Sequence, residues 1–252
     1  IGPFLKWKRS DFYPALNRLK LAFLLSLVSG TAVWSYSIDG PFIGVIGIAL
    51  ATWLGTSTLV ELAERINLFK VPFFDSLKRI TILPRATWGM TFGHFGMAIV
   101  IAGITGASAW KTESIQSMKP GDSVKVAGYN YTFEGTFSGK GPNFDFLIGE
   151  FTVHKNGTLI SRLKAEKRKY LVSGMKTTEA AIHPTLFGDL YAVIGEPDGP
   201  NGSFVTRLYF NPLVSWMWFG TLVMVIGGIL SLTDFRNRIG FANRKKQVLF
   251  SS

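Results

Sequence analysis

The sequence predicts an integral membrane protein of the α-helical class, with four transmembrane helices and one extracytoplasmic β-rich domain, folded as a small barrel or a sandwich. Three observations support this prediction. Four mostly apolar runs are long enough, alone or with flanking residues, for a helix to cross a bilayer. The basic residues outside one long segment fall on one side of these runs. That segment, residues 111–211, has the short apolar runs and turn signals of strands.

Composition and charge fit this class. Of the 252 residues, 47% are hydrophobic, and the net charge is +11. Residues 111–211 hold nearly balanced charge, whereas the other basic side chains lie near the ends of the apolar runs. This distribution indicates membrane topology and not a nucleic-acid-binding surface, so no nucleic-acid partner is expected. The absence of cysteine excludes disulfides, thiolate metal sites and covalent attachment of haem to this chain.

The first two helices form a hairpin across the membrane. Residues 1–20 are rich in Lys and Arg and are predicted to lie on the cytoplasmic (or matrix) side. The first transmembrane helix is predicted over residues 21–36, which is short but workable with its flanks. A tight turn at residues 37–40 carries no positive charge, as expected on the outer side. The second transmembrane helix follows over residues 41–62, with proline in its first turn, where a missing N–H costs little.

The chain then returns along the inner side. Residues 63–85 interleave basic and apolar side chains, which is typical of a connector lying on the membrane surface, although an ordinary loop fits as well. The third transmembrane helix is predicted over residues 86–110. These helices and the N-terminal segment make up the first predicted region, 1–110. Residues 111–211 form the outer domain, and residues 212–252 contain the fourth transmembrane helix and a basic cytoplasmic tail.

The outer segment is predicted to be β-rich. Asn156-Gly157 lies between two strand-like runs and is a strong hairpin signal. Gly-Pro and Asn-Gly pairs separate further runs. The predicted strands are residues 123–126, 130–137, 144–154, 158–163, 169–172, 189–194 and 204–210.

His94 is the ionisable residue within the third apolar run, residues 86–110. An imidazole in hydrocarbon is costly, so such a residue usually faces a bundle interior and has a partner. Three roles are open: an axial ligand to haem iron, a proton relay, or a hydrogen bond to another helix. The plainer alternative is a purely structural histidine bonded to a neighbour's backbone. His154 and His183 lie in the outer segment and are not expected to reach a group at the depth of His94, so a second imidazole would come from outside this chain.

Glycines occupy the opposite face of the same helix. They are Gly89, Gly93, Gly96 and Gly103. Glycines spaced three or four residues apart let another helix approach closely. The face of His94 carries Met90, Met97, Ala98 and Ile101. We therefore expect this helix to be anchored through its glycines and to present His94 from the other side.

Two other features allow both a structural and a functional interpretation. Trp110, Trp216 and Trp218 lie at the predicted outer ends of helices, where interfacial belts explain them. Residues 164–169, Lys-Ala-Glu-Lys-Arg-Lys, form a basic run on a predicted strand pair. Such a run is usually a solvated face, and it could also receive acidic groups such as haem propionates or a partner's surface.

Residues 83–90, LPRATWGM, running into Gly-His-Phe-Gly at 93–96 resemble the CcmF family of cytochrome c-type biogenesis proteins. This family is the haem lyase component of the bacterial and plant-mitochondrial maturation system. The likeness covers about residues 1–240. It continues through residues 118–122, 141–143, 165–168, 178–182, 189–191, 195–197, 216–218 and 227–228.

The resemblance implies a cofactor and a role for His94. Members of the family hold haem b (iron protoporphyrin IX) in the membrane through two transmembrane histidines, and His94 matches the second of them. They also carry a tryptophan-rich outer segment flanked by two histidines, which this sequence lacks. His183 takes no role from the family. The chain, which begins with Ile1 rather than Met, is therefore similar to the C-terminal part of a CcmF, either a separate subunit or a fragment. Alone it is not expected to be a complete enzyme.

The resemblance also implies a reaction and partners. The complex would act as a cytochrome c haem lyase and quinol:haem oxidoreductase, reducing the delivered haem iron during thioether attachment to the Cys-x-x-Cys-His of apocytochrome c. The expected partners are the N-terminal CcmF portion, the haem chaperone CcmE, CcmH/CcmI-type proteins, membrane lipid and quinol. The expected location is the bacterial inner (cytoplasmic) membrane or the mitochondrial inner membrane. A non-catalytic membrane scaffold or transport-complex subunit with an outer docking domain fits the predicted elements equally well.

Overall fold

The computed structural model describes residues 12–37, 40–199 and 202–234, with side chains from Leu19 onward. Outside the described residues lie residues 1–11 of the predicted basic segment 1–20, the basic tail from residue 235 onward, and the middle of the turn at residues 37–40. The chain divides into two compact units. One runs up to Thr105 and resumes at Trp216, and the other is Gly106–Ser215.

The first unit is helical. Its helices are α1 Phe12–Tyr36, α2 Phe42–Arg65, α3 Phe73–Ile82, α4 Arg85–Ala109 and α5 Val214–Leu232, of which α4 and α5 cross the unit boundary. The part of α1 from Leu19, and the whole of α2, α4 and α5, are long and apolar enough to cross a membrane. The predicted four transmembrane helices are therefore confirmed. Helix α1 begins before the predicted residue 21, because an apolar run marks the part of a helix that suits a bilayer and not the start of the helix itself.

Helix α3 is an additional element within the connector. It begins after Pro72, has Asp75 in its first turn and Arg79 in its last, and so places charge in the favourable sense for a helix dipole. Ser76 is buried, whereas Phe73 and Phe74 are 64% and 77% exposed. The connector is thus partly helical and amphipathic, and its place on a membrane surface stays a prediction.

Helices α4 and α5 pack backbone against backbone through glycines. A Cβ atom on Gly89 would lie 2.7 Å from the carbonyl oxygen of Gly227, and one on Gly96 would lie 2.6 Å from that of Gly220. The order of the two contacts shows that the helices are antiparallel. The predicted close approach of another helix is confirmed for Gly89 and Gly96, and α5 is that helix, whereas a Cβ atom on Gly93 would meet nothing within 4 Å.

Asp234, just past the end of α5, ties this helix pair together at one end. Its Oδ2 accepts a hydrogen bond of 2.9 Å from the backbone N–H of Ala86, in the first turn of α4. The first N–H groups of a helix have no partner within the helix, and a carboxylate there also interacts favourably with the helix dipole. Asp234 is only 7% exposed, so this contact is protected from water within the protein.

Helix α2 packs on α1 and on a second side of α4. The Oγ of Ser26 donates a 2.8 Å hydrogen bond to the carbonyl oxygen of Ala49 on α2. A Cβ atom on Gly55 would lie 3.5 Å from that of Ala98, which is ordinary van der Waals contact. An apolar cavity of about 270 Å³ is lined by α2, α4 and Trp216 at the start of α5. These contacts leave one side of α4, the side of His94, only partly covered.

The second unit is an antiparallel β-sandwich, which confirms the predicted β-rich domain and selects the sandwich over the barrel. One sheet has the strand order β1-β9-β8-β7 and the other β2-β3-β4-β5-β6. The strands are β1 Thr112–Met118, β2 Ser123–Val126, β3 Tyr129–Lys140, β4 Phe144–Lys155, β5 Thr158–Tyr170, β6 Lys176–Glu179, β7 Ala181–Pro184, β8 Gly188–Pro197 and β9 Phe204–Pro212. Both sheets contribute to one core, which includes the fully buried Tyr131, Phe133, Phe151, Ile194 and Leu208.

Most predicted strands are present, and the differences have physical reasons. The predicted separate strand at residues 169–172 is wrong, because β5 runs on to Tyr170 and the chain then turns. The missed strands β6 and β7 are four residues each, too short for alternation to show. The β4–β5 hairpin is confirmed. Asn156 and Gly157 have φ of 51° and 80°, the positive values that a two-residue hairpin turn needs.

Candidate functional site

His94 lies within α4, about nine residues after its start at Arg85, or about 14 Å along the helix axis at the usual rise. Its side chain is half-buried. The Nδ1 atom lies 2.9 Å from the carbonyl oxygen of Met90, one helical turn earlier. A carbonyl oxygen only accepts, so Nδ1 carries the hydrogen and donates it. In a neutral ring, Nε2 then keeps its lone pair and can bind a metal.

The surroundings of His94 follow from the three sides of α4. Gly89 and Gly96 face α5, and Ala98 faces α2. The third side carries His94 together with Met97 and Ile104, which are 44% and 50% exposed. This side is therefore only partly covered by the part of the chain that the structure describes. An apolar, partly open side of a membrane helix can be covered by lipid, by a further helix or by a buried ligand.

The residues present fit an axial ligand to haem iron. Histidines that bind metals usually donate their other ring N–H to a carbonyl or carboxylate, which fixes the ring and the tautomer, and His94 does so to Met90. Imidazole is a common haem ligand, and helix bundles bind cofactors between facing helices. The observed hydrogen bond stays within α4, so Nδ1 does not join two helices. Among the described residues, no group of three or more His, Cys, Asp and Glu side chains could hold a metal ion by itself.

The other two histidines belong to the sandwich unit. His154 lies at the end of β4, where the register with β5 shifts, and is half-buried. His183 lies on β7, opposite Leu190 of β8, and is half-buried as well. It interacts electrostatically with Asp189, whose pKa is raised by burial against the lowering effect of a hydrogen bond from Ser215. That neither histidine is the second ligand stays a prediction.

The basic run at residues 164–169 lies on one strand, β5, and not on a strand pair as predicted, because β5 continues past it. Lys167 pairs with Glu196 at 2.5 Å, and Arg168 pairs with Glu166 at 2.8 Å while stacking over the Phe144 ring. The hydrogen bond and the charge of Lys167 hold the pKa of the exposed Glu196 carboxyl below its ordinary value. The side chains of Lys167, Glu166 and Arg168 are only 15%, 18% and 31% exposed, so the interpretation as a freely solvated face does not hold for these residues. The alternative, an acceptor for acidic groups, stays a prediction.

Sequence reasoning missed Asp234, which holds the first turn of α4. The signal was a single acidic residue directly after the last apolar run. Its partner, Ala86, is 148 residues away, so only the fold could identify the contact. Two of the predicted interfacial tryptophans differ in their surroundings. Trp218 is 71% exposed, whereas Trp216 lines the cavity beside α2 and α4.

Comparison with known proteins shows that the chain is similar to members of one family. A family model described as the CcmF C-terminal β-sandwich matches residues 109–212. The chain is 35% identical to the cytochrome c-type biogenesis protein CycK of Bradyrhizobium diazoefficiens, over 95% of this chain and 36% of that protein. It is also 35% identical to the cytochrome c-type biogenesis protein CcmF of Escherichia coli, over 94% of this chain and 35% of that protein.

A solved structure titled "Cytochrome c Heme Lyase CcmF" has the same fold. The TM-score is 0.68 at 17% sequence identity, covering 92% of this chain and 37% of that one. The chain thus spans little more than a third of the length of the relatives it matches. Its helices and its sandwich both have counterparts in that solved structure. The chain belongs to the CcmF family of cytochrome c-type biogenesis proteins and corresponds to the C-terminal part of its members.

Proposed function

We propose that this chain is the C-terminal portion of a cytochrome c haem lyase, and that His94 supplies one axial ligand to a haem b held within the membrane. The second ligand is a histidine outside this chain. The proposal is best supported by the hydrogen bond and the surroundings of His94. Its Nδ1 donates to the carbonyl oxygen of Met90, and the side of α4 that carries it is only partly covered by described residues. The names of the relatives, cytochrome c-type biogenesis proteins and a haem lyase, support the reaction class.

The chain's own residues have three tasks in this proposal. The Met90 carbonyl orients the imidazole and fixes the tautomer that leaves Nε2 available. Ile101, two turns along the same side, keeps water away from that nitrogen. The glycine contacts with α5 fix α4 on the side away from His94. When bound, haem b supplies a one-electron carrier within the membrane, and we place this chain between quinol and the haem iron that is reduced during attachment to apocytochrome c.

The proposal requires partners. Since the chain spans little more than a third of its relatives, the N-terminal CcmF portion is the expected source of the second histidine. The haem chaperone CcmE and CcmH/CcmI-type proteins would bring haem and apocytochrome c to the complete assembly. The sandwich is the extracytoplasmic part of this chain in the proposed topology.

A visible spectrum tests the proposed function. The chain is purified from membranes with and without co-expression of the N-terminal CcmF portion. The pair is expected to show a b-type absorbance in the reduced-minus-oxidised spectrum, and the chain alone is expected to lack it, because one imidazole holds haem poorly. A pair that forms but is colourless would contradict the haem proposal and favour the non-catalytic scaffold.

Single cysteines test the proposed orientation in the inner membrane. The chain has no cysteine, so each introduced one is a unique site. Lys125→Cys on β2 and Lys70→Cys in the α2–α3 connector both replace exposed side chains. In spheroplasts, a membrane-impermeant maleimide is expected to label the cysteine at position 125 at once and that at position 70 only after permeabilisation. Labelling at position 70 in sealed spheroplasts would overturn the proposed orientation.

A further inference from the structure

We propose that α3 is an interfacial helix that binds the membrane surface, with Phe73, Phe74 and Leu77 in the acyl–headgroup boundary and Lys78 and Arg79 on anionic lipid headgroups. The proposal concerns a surface distinct from His94 and goes beyond the proposed function. The partner that covers this surface is lipid. Three features of α3 support this: its position in the chain, its exposed side chains and its charge.

The position of α3 follows from its neighbours. Helices α2 and α4, which precede and follow it, are both of membrane-spanning length and apolarity. Helix α3 has 10 residues. At the helical rise it is about 15 Å long, half of what the hydrocarbon core of a bilayer requires. The connector therefore cannot cross the membrane, and α3 lies at the surface where α2 ends and α4 begins.

The side chains of α3 lie on three faces of the helix. Ser76 is buried, with its Oγ 3.5 Å from the carbonyl oxygen of Asn67, so this direction faces the protein. Phe73, Phe74 and Leu77 are 64%, 77% and 45% exposed, and they lie on the arc next to Ser76 at the helical repeat. Three large apolar side chains left exposed on so short a helix are unusual for a surface in water.

The remaining arc carries the charged side chains of Asp75, Lys78 and Arg79, together with Ile82, which is 76% exposed. Lys78 and Arg79 are exposed and make no ion pair with a carboxylate among the described residues. Lys70 and Arg85, before and after the helix, add two further exposed cations to this connector. An amphipathic helix with an aromatic face and basic flanks is the pattern of a segment that lies in the interface plane and is attracted by anionic lipid.

A functional consequence concerns His94. Leu83 and Pro84 join α3 to α4 directly. Wherever α3 lies in the interface, the start of α4 is fixed at that depth, and His94 follows on the same helix. The surface contact of α3 therefore sets how deep the imidazole lies in the membrane.

Spin-label depth measurement tests this proposal on the full chain in nanodiscs of phosphatidylcholine. Nitroxide labels are placed by Leu77→Cys on the apolar arc, Arg79→Cys on the charged arc and Lys125→Cys on the sandwich as a control. The label at position 77 is expected to be more accessible to oxygen than to a water-soluble nickel chelate, and the labels at positions 79 and 125 the reverse. A label at position 77 that is open to the chelate, or protected from both reagents, would overturn the proposal.

A second lipid composition tests the headgroup contact. Replacing a quarter of the lipid by phosphatidylglycerol is expected to lower the chelate accessibility at position 77 further, because each basic residue near an anionic surface favours binding about fivefold. A triple variant keeps the label site Leu77→Cys and adds Lys78→Gln and Arg79→Gln. In this variant the effect of phosphatidylglycerol on the chelate accessibility at position 77 is expected to disappear. A response that persists unchanged would overturn the anionic-lipid contact. The same measurements on His94→Ala are expected to be unchanged, which separates this proposal from the haem proposal.

Discussion

His94→Ala is expected to reduce the b-type haem absorbance of the complex with the N-terminal portion to background, while the chain still inserts and still binds that portion. The reason is local. The imidazole is half-buried on a partly covered side of α4, and its hydrogen bond goes to Met90 within the same helix. Among the described residues, removing it therefore breaks no hydrogen bond between helices. The measurement is the reduced-minus-oxidised spectrum per mole of purified complex.

Met97→Ala provides the matched control for this variant. Met97 lies on the same side of α4 as His94 and is 44% exposed. Its truncation removes a side chain of similar size from the same surface without removing a ligand. It is expected to keep the haem signal, with a modest change at most. Equal signals from His94→Ala and the unchanged chain would contradict the ligand role, as would an equal loss from Met97→Ala.

Gly96→Ala is expected to be strongly destabilising for so small a change. The added Cβ would lie 2.6 Å from the carbonyl oxygen of Gly220 and 2.7 Å from Cγ of Met224, so the backbones of α4 and α5 would have to separate. Overpacking of this kind typically costs about 1–3 kcal/mol, and backbone atoms adjust less readily than side-chain ends. We expect a lower melting temperature of the full chain in detergent and, because α4 shifts, a weaker haem signal in the complex.

Gly93→Ala on the same helix is the matched control. A Cβ at that position would meet nothing within 4 Å. Alanine favours a helix over glycine by about 0.5–1 kcal/mol, so this variant is expected to be neutral or slightly more stable. Similar melting temperatures for the two variants would show that the helices do not pack through Gly96.

The helical part of the fold was predictable because hydrophobic length is a local property. Each of the four long apolar runs became a helix of membrane-spanning length. Their ends moved by a few residues, except the start of α1, which lies at Phe12 instead of residue 21. Helix α3 was not predicted as a helix, because its 10 residues fall just short of the window of about 11–18 residues over which a helical period is usually recognised. Its amphipathic character was visible in composition, and its exposed face only in the structure.

The sandwich was predictable as a class and less so in its strands. Turns with a strong signal, such as Asn156-Gly157, fixed the long hairpin between β4 and β5. Strand β1, Thr112–Met118, was missed because its residues are mostly polar and exposed. Strands β6 and β7 are separated by Ala180 alone, where the chain passes from one sheet to the other. Such a crossing depends on the packing of both sheets and leaves no local pattern.

The candidate site was predictable to the extent that it rests on single-residue chemistry. His94 was found because an ionisable side chain in an apolar run is costly and therefore informative. The glycine face was found from helical spacing. The direction of the His94 hydrogen bond, the identity of α5 as the packing partner and the contact of Asp234 with Ala86 depend on rotamers and on residues far apart in the chain.

Chemical rescue of His94→Gly tests most directly whether the imidazole of His94 binds haem iron. The variant complex, purified with the N-terminal portion, is titrated with free imidazole while its visible spectrum is recorded. If His94 is the ligand, the b-type spectrum is absent or altered without imidazole and returns on addition, whereas Met97→Gly shows no response. A variant that has the unchanged b-type spectrum before any imidazole is added would contradict the ligand role of His94.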